Sequence, residues 1–152
     1  MQKKGNYKAK VRIIGCGSLG SLVVKLLKPY KMNVCVYDPF LSDQRAKELG
    51  VEQASLKEIF TNSDVISNHL PNIPETKGLI NWNLLSLMKE SATFINTGRG
   101  EQVIEKDLAK VMRKKPNACA LLDVSIKEPL FPWSSLLRRK NIFISPHIAG
   151  SL

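Results

Sequence analysis

The sequence contains a loop whose residue types and spacing could bind phosphate. An apolar run over residues 11–14 leads into GCGSLG, which has the glycine spacing G-x-G-x-x-G. At this spacing the first glycine permits a tight turn, the second lets the backbone approach a pyrophosphate, and the third allows a helix to pack closely on a strand. Unpaired N–H groups at the start of that helix would face the phosphates. The predicted contacts from this loop are Gly15, Gly17, Ser18, Leu19 and Gly20.

An acidic residue follows at the end of the next apolar run, which covers residues 33–38 and closes on Asp38. A carboxylate at this place can accept hydrogen bonds from the ribose hydroxyls of an adenosine, and it would repel a 2′-phosphate. The loop and the acid together predict a dinucleotide site and favour NAD over NADP as the cofactor.

Three further polar residues stand near the ends of strand-like runs in the second half of the chain. Arg99 follows FINTG, Glu128 lies shortly after Asp123, and His147 follows IFISP. In open α/β sheets, ligands bind outside the carboxyl ends of the strands, so all three residues would lie on the cofactor side. We therefore treat Arg99, Glu128 and His147 as candidate site residues.

The elements that must position these residues alternate between strand-like and helix-like segments. The strand-like segments are continuous apolar runs, as expected for strands that are buried on both faces. The alternation predicts an α/β fold of the Rossmann type, a doubly wound parallel sheet with helices on both faces. The predicted strands are 11–15, 33–38, 64–70, 93–97, 118–124 and 142–145, and the predicted helices are 19–30, 42–49, 55–60, 82–88 and 105–114. We divide the chain into an N-terminal extension, 1–10, and a dinucleotide-binding domain, 11–152.

Composition argues against several other classes of protein. The 152 residues, 43% apolar and 24% charged, fit one globular domain. The net charge of +10 is spread over helix-like segments without interleaved aromatic residues, so we expect no nucleic-acid partner. No apolar run is long enough for a transmembrane helix, and we expect no membrane partner. The three cysteines lack metal-ligand spacing and favour a reducing, cytoplasmic setting without a metal site.

Taken together, these motifs resemble the NAD-binding domain of the D-isomer-specific 2-hydroxyacid dehydrogenases, of the phosphoglycerate dehydrogenase type. The matching stretches span nearly the whole chain: GCGSLG with Asp38, SDVISNHLPNIPETKGLIN, MKESATFINTGRGEQV, LLDVSIKEPL and NIFISPHIAGS. The resemblance implies hydride transfer between NAD(H) and a pair of D-2-hydroxy acid and 2-keto acid. The hydride chemistry itself would belong to the nicotinamide.

The resemblance also implies a role for each candidate residue. Arg99 would bind the carboxylate and the keto oxygen of the substrate, and His147 would be the general acid or base. Glu128 would hydrogen-bond His147, orient its ring and favour its protonated form. Asp123 would contact the nicotinamide side of the cofactor. The residues implied to line the cofactor cleft are Leu70, Thr76, Thr97 and Gly98, and His69 is interpreted as a lining or structural residue.

The chain departs from the family pattern in three places. Ser18 stands where many relatives carry arginine, which would remove one contact to the pyrophosphate. Gly98 stands where alanine or serine is common, which would loosen the loop before Arg99. The segment 125–127 replaces a run that is usually more acidic. None of these departures removes a candidate catalytic residue.

Full-length members of the family carry a second, substrate-binding domain, which the resemblance implies for the full-length protein together with a homodimer. We therefore expect this chain to bind NAD with little or no turnover by itself. The substrate stays open, because most specificity residues would lie in the second domain. An alternative function is that of an NAD-sensing corepressor, an interaction protein that uses the same scaffold and can keep the catalytic residues.

Overall fold

The computed structural model describes residues 8–150 and places them in a seven-stranded sheet with α-helices packed against it. The strands are β1 (Lys10–Ile14), β2 (Asn33–Tyr37), β3 (Glu52–Gln53), β4 (Val65–Asn68), β5 (Thr93–Asn96), β6 (Cys119–Leu122) and β7 (Ile142–Ile144). The helices are α1 (Ser18–Leu27), α2 (Asp43–Leu49), α3 (Leu56–Asn62), α4 (Trp82–Leu85) and α5 (Glu105–Lys114), with 3₁₀ turns at Lys28–Tyr30, Pro74–Thr76 and Gly100–Gln102.

All neighbouring strands are parallel, in the order β3-β2-β1-β4-β5-β6-β7. The order reverses between β1 and β4, and at such a switch point the carboxyl ends of two strands open a crevice for a ligand. The predicted Rossmann-type fold is confirmed.

Alternating side chains of the central strand β1 pack in two separate hydrophobic cores. Ile14 packs in the larger core with residues of α3, α4 and α5, whereas Ile13 packs in the smaller core with residues of α1 and α2. Successive side chains of a strand point to opposite faces, so helices cover both faces of the sheet at β1. Both isoleucines are fully buried.

The second half of the sheet is covered differently. The row that begins at Ile13 continues in register to Leu121 on β6 and Phe143 on β7. Leu121 is 39% exposed and Phe143 is 57% exposed. Within the described residues, the helices therefore cover β6 and β7 on one face only.

Local sequence signals set several helix ends as predicted. Ser55 and Glu58 form a capping box at the start of α3, where the spacing of a serine three residues before a glutamate offers that signal. Gly50 ends α2 in the left-handed conformation at φ +67°, which glycine adopts without a steric penalty. The helix predicted for 19–30 is shorter, because α1 ends at Leu27 and a 3₁₀ turn follows. Pro29 in that turn lacks the N–H group that a further α-helical turn needs.

The sequence-based boundaries were wrong in other places. The strand β3 was missed because Glu52 and Gln53 are both exposed and polar, so no apolar pattern marks them. The strand predicted for 118–124 is confined to Cys119–Leu122, and α4 ends at Leu85. Residues 1–7 and 151–152 lie outside the described residues, and the division at residue 11 stays a prediction, although β1 begins at Lys10.

The glycine loop is packed too tightly at two positions to accept a side chain. A Cβ atom at Gly20 would lie 2.0 Å from the carbonyl oxygen of Gly15, and a Cβ atom at Gly15 would lie 2.7 Å from the carbonyl oxygen of His69. Both obstacles are backbone atoms, which cannot rotate away. Gly17 differs, because open space surrounds its Cβ position. The contacts hold the start of α1 against the end of β1.

Replacement of Gly20 by alanine is therefore expected to destabilise the fold severely. Overpacking a core costs about 1–3 kcal/mol, and a backbone obstacle places Gly20→Ala near the upper end of that range. The matched control Gly17→Ala should cost less than about 1 kcal/mol, since it adds a methyl group in open space at a helix N-cap. Urea unfolding followed by circular dichroism measures both. Equal free energies of unfolding for the two variants would contradict the packing argument.

Candidate active site

The predicted acid and the glycine loop are joined directly at the carboxyl edge of the sheet. The carboxylate of Asp38 accepts a hydrogen bond from the backbone N–H of Cys16 at 2.7 Å and another from that of Phe40 at 2.8 Å. The N–H of Gly15 donates to the carbonyl oxygen of Tyr37 at 2.8 Å. These bonds fix the position of the half-buried Asp38 relative to the loop.

The start of α1 presents backbone donors beside an open cleft. Gly17 is the N-cap residue and has no side chain that could cap the first N–H groups. The cleft, about 450 Å³, runs between α1 and α2 and carries the cations of Lys25 and Arg45. Arg45 also pairs with Glu48 at 2.9 Å. Helix donors and two cations together favour a phosphate at this place. The lining residues are Cys16, Gly17, Ser18, Ser21, Leu22, Lys25 and Arg45.

A second cleft, of about 210 Å³, opens at the carboxyl ends of β4 and β5, beside the switch point. It brings together five of the residues predicted from the sequence, from the first turn of α1 and from the loops after β4 and β5: Leu19, Leu70, Thr97, Gly98 and Arg99. His69, Pro71 and Asn72 complete its lining. The ring of His69 hydrogen-bonds the hydroxyl of Ser67 at 2.8 Å, and burial lowers the pKa of His69, which favours its neutral form.

Thr76 lies apart from the lining of this cleft. Its side chain is buried, and its hydroxyl donates to the carbonyl oxygen of Pro71 at 2.7 Å and accepts from the N–H of Ile73 at 3.2 Å. These bonds stabilise the turn over Pro71–Thr76. A direct contact between Thr76 and a cofactor stays a prediction.

Three buried amide side chains behind the second cleft were missed in the sequence. Asn68 and Asn96 end neighbouring strands in the same register, and the amide of Asn68 donates to Oδ1 of Asn96 at 2.9 Å. It also donates to Oε1 of Gln102 at 2.6 Å. Two asparagines at matching strand ends are a signal that the sequence offered, whereas nothing in the sequence marks Gln102.

The predicted pair of Glu128 and His147 meets in the structure. Nδ1 of His147 lies 2.7 Å from Oε2 of Glu128, and Oε1 of Glu128 accepts from the N–H of Ser125 at 3.0 Å. The N–H of Ser125 and then the ring of His147 hold the pKa of Glu128 below its usual value. Both side chains are about 40% exposed, at 42% for His147 and 40% for Glu128, so the pair is open to a ligand.

Asp123 organises the loop that carries His147. Its buried carboxylate accepts from the hydroxyl of Ser145 at 2.5 Å and from the N–H groups of Ile148 at 3.0 Å and Ala149 at 2.8 Å. Between these residues, His147 has a left-handed backbone at φ +55°, which is uncommon for a side chain of its size. A contact between Asp123 and the nicotinamide stays a prediction, since the shown bonds serve the loop.

Arg99 and the Glu128–His147 pair are connected through backbone contact. A Cβ atom at Gly100 would lie 2.1 Å from the carbonyl carbon of Ser125, so the loop of Arg99 abuts the segment that holds Glu128. The side chain of Arg99 is exposed, and its Nη1 donates to the carbonyl oxygen of Gly98 at 2.8 Å. The three candidate catalytic residues therefore lie on adjoining loops at one edge of the sheet.

The described part of the chain shows neither a cluster of metal ligands nor a membrane-spanning helix. Among residues 8–150, no three His, Cys, Asp or Glu side chains lie together in a way that could hold a metal ion. None of the helices in that range has the length and apolar character needed to cross a membrane.

The loop around His147 is expected to loosen at acid pH. Burial raises the pKa of Asp123, but the hydrogen bonds from Ser145, Ala149 and Ile148 outweigh burial and lower it overall. A lowered pKa means that the carboxylate stabilises the fold above its unfolded value of about 3.9 and loses this effect as the pH falls through its folded value. The amide proton shifts of Ile148 and Ala149 should therefore titrate with a midpoint below about 3.9. Asp123→Asn should abolish that titration, and a midpoint at or above the usual value would refute the assignment.

Comparison with known proteins places the chain in a family. Residues 1–149 match the family model described as D-isomer specific 2-hydroxyacid dehydrogenase, NAD binding domain. The chain is 40% identical to D-3-phosphoglycerate dehydrogenase of Archaeoglobus fulgidus over 139 residues. This alignment covers 91% of this chain and 26% of that protein. Over 139 residues it is 39% identical to glyoxylate reductase of Aeropyrum pernix, covering 91% of this chain and 42% of that protein.

The fold agrees with solved structures of the same kind. Phosphoglycerate oxidoreductase from Vibrio cholerae superposes with a TM-score of 0.87 at 32% identity, over 95% of this chain and 46% of that chain. The chain thus spans less than half the length of these relatives. With a family model that covers nearly every residue, the chain belongs to the D-isomer specific 2-hydroxyacid dehydrogenases and corresponds to their NAD-binding domain.

Proposed function

We propose that this chain binds NAD along the carboxyl edge of its sheet and supplies the acid–base pair for hydride transfer between NAD(H) and a D-2-hydroxy acid or 2-keto acid. The observation that carries the proposal is the 2.7 Å contact between His147 and Glu128 at the edge that also bears the glycine loop. An imidazole held by a carboxylate is suited to general acid–base catalysis.

The residues at the loop fit a dinucleotide. Open space at the Cβ position of Gly17 lets the backbone approach a pyrophosphate, and the first N–H groups of α1 face the same side. The carboxylate of Asp38 keeps lone pairs for ribose hydroxyls beyond the two backbone bonds that it accepts. Its negative charge disfavours a 2′-phosphate, which supports NAD over NADP.

The proton transfer is assigned to a particular atom of His147. When NADH is bound, it supplies the hydride to the carbonyl carbon of the 2-keto acid. Because Nδ1 of His147 contacts Glu128, we assign Nε2 as the atom that donates a proton to the keto oxygen in reduction and removes the hydroxyl proton in oxidation. The carboxylate of Glu128 stabilises the imidazolium and orients the ring.

Arg99 is the proposed partner of the acid substrate. The bond to the carbonyl oxygen of Gly98 uses one of the five N–H donors of its guanidinium, and the others suit a carboxylate and a keto oxygen. The relatives named above are a phosphoglycerate dehydrogenase and a glyoxylate reductase, so we propose a small acid of either kind, bound in its 2-hydroxy or 2-keto form, without choosing between them. A homodimer of the full-length protein and a cytoplasmic location stay predictions.

Loss of the Asp38 carboxylate should weaken NADH binding at least about tenfold. A hydrogen bond to a charged group contributes about 1.5–3 kcal/mol, and about 1.4 kcal/mol corresponds to a factor of ten. Fluorescence titration of Asp38→Ala with NADH measures the effect, and the same variant should discriminate less against NADPH. Asp43→Ala removes a nearby exposed carboxylate and is expected to bind NADH as the unmodified chain does. Unchanged NADH affinity in Asp38→Ala would remove this residue from the site.

The acid–base assignment can be tested in a hybrid enzyme. This chain would replace the matching region of the Aeropyrum pernix glyoxylate reductase, and NADH oxidation with glyoxylate would be followed. His147→Asn should lower kcat at least about 100-fold, because general acid–base catalysis contributes about 10²–10⁴-fold, while NADH affinity stays unchanged. Glu128→Gln should lower kcat less. A hybrid that keeps its kcat without His147 would contradict the assignment, and NADH binding without turnover in the unmodified hybrid would favour an interaction function.

A further inference from the structure

We infer that Gln102 is a positioning residue that sets the width of the second cleft, and that its side chain is the reason for glycine at position 98. The inference rests on the proposed function in one respect, since it takes this cleft as part of the NAD site. Gln102 was not among the residues predicted from the sequence.

The side-chain amide of Gln102 is fully buried, and both its oxygen and its nitrogen form hydrogen bonds. Oε1 accepts from the amide of Asn68 at 2.6 Å and from the N–H of Arg99 at 3.2 Å. Nε2 donates to the carbonyl oxygens of Leu70 at 2.8 Å and Pro71 at 2.9 Å. A carboxamide has two donors and two acceptor positions, so all four are satisfied. If the amide were flipped, its NH₂ group would face the N–H donors of Asn68 and Arg99, and its oxygen would face the carbonyl oxygens of Leu70 and Pro71. The partners are therefore compatible with one orientation of the amide.

The partners of Gln102 belong to opposite walls of the cleft. Leu70 and Pro71 follow β4 and form one wall, whereas Arg99 follows β5 and forms part of the other. Gln102 therefore ties the two loops to each other behind the space where the ligand would lie. Asn96 reinforces the second wall, since its Oδ1 accepts from the N–H of Gly98 at 3.1 Å and its Nδ2 donates to the carbonyl oxygen of Arg99 at 3.2 Å.

Gly98 is needed for space and not for backbone conformation. It is not among the residues with a positive φ, so an alanine would meet no backbone strain there. A Cβ atom at this position would instead lie 2.8 Å from Oε1 of Gln102 and 3.2 Å from Nδ2 of Asn68. Because four hydrogen bonds hold the Gln102 amide, it cannot retreat without breaking its contact with Arg99 or with the opposite wall.

The departure at position 98 is therefore coupled to residue 102. In this chain, a methyl group at position 98 would displace Gln102, and the displacement would pass to Leu70, Pro71 and Arg99 together. The expected consequence is a misplaced cleft wall, in addition to any loss of stability.

A double-mutant cycle tests the coupling in this chain. The variants are Gly98→Ala, Gln102→Ala and the combination, with NADH affinity measured by fluorescence titration and stability by urea unfolding. Each single variant should weaken NADH binding about tenfold. The combination should lose clearly less than the product of the two single losses, because removal of the Gln102 side chain makes room for the added methyl group. Gln102→Met keeps the volume of the side chain but removes its hydrogen bonds, so it should not reduce the loss of NADH affinity caused by Gly98→Ala. This variant replaces Gln102→Ala in the cycle if Gln102→Ala does not fold.

A matched control is available at the opposite edge of the sheet. The amide of Asn141 donates to the carbonyl oxygens of Met112, Lys115 and Ala118, so Asn141→Ala should lower stability and leave NADH affinity within twofold. In the cycle with Gln102→Ala, losses that multiply independently would overturn the inference, whereas with Gln102→Met relief of the loss in Gly98→Ala would overturn it. So would NADH affinities that stay unchanged while stability falls, because Gln102 would then be structural only. If the unmodified chain failed to bind NADH, the proposed function would fail instead.

Discussion

The close approach of backbone atoms at Gly15 is the constraint on which the rest of the structure depends. Gly15 directly follows the central strand β1, and its N–H donates to the carbonyl oxygen of Tyr37 at the end of β2. On its other sides it lies against the carbonyl of His69 after β4 and against Gly20 in α1. Three elements thus converge where the strand order reverses, and a side chain at Gly15 or Gly20 would separate them. The crevice for a dinucleotide exists because these backbones touch.

Carboxylates and amides hold the surrounding loops in place before any ligand arrives. Asp38 is bonded to the N–H of Cys16, Asp123 to the loop of His147, and Glu128 to the N–H of Ser125. In each case the carboxylate accepts hydrogen bonds from backbone N–H groups of its own site, in addition to its proposed contact with a ligand or a partner residue. Such bonds reduce the reorganisation that binding and proton transfer require, which is how a preformed site gains affinity and rate.

The sequence predicted the fold and supplied the candidates for the site because both have local signals. Apolar runs of strand length, the glycine spacing and the capping box at Ser55 each depend on residues close together in the chain. The strand β3 had no such signal, since its two residues are polar and exposed and are held by pairing with β2. The resemblance implied that Thr76 lines the cofactor cleft; its hydroxyl is bonded within its own loop, and a contact with the cofactor stays a prediction.

The sequence by itself determined the order of the elements other than β3, the glycine spacing of the loop, and the choice of Asp38, Arg99, Glu128 and His147 as candidates. Only the tertiary structure decided how the loops meet. The hydrogen bonds from Gln102 to Asn68 and to Leu70 join residues that are 34 and 32 positions apart in the sequence. A glutamine can satisfy four partners in many surroundings, so its residue type does not reveal which ones it meets. The register of the parallel strands determines that, through packing across the whole sheet.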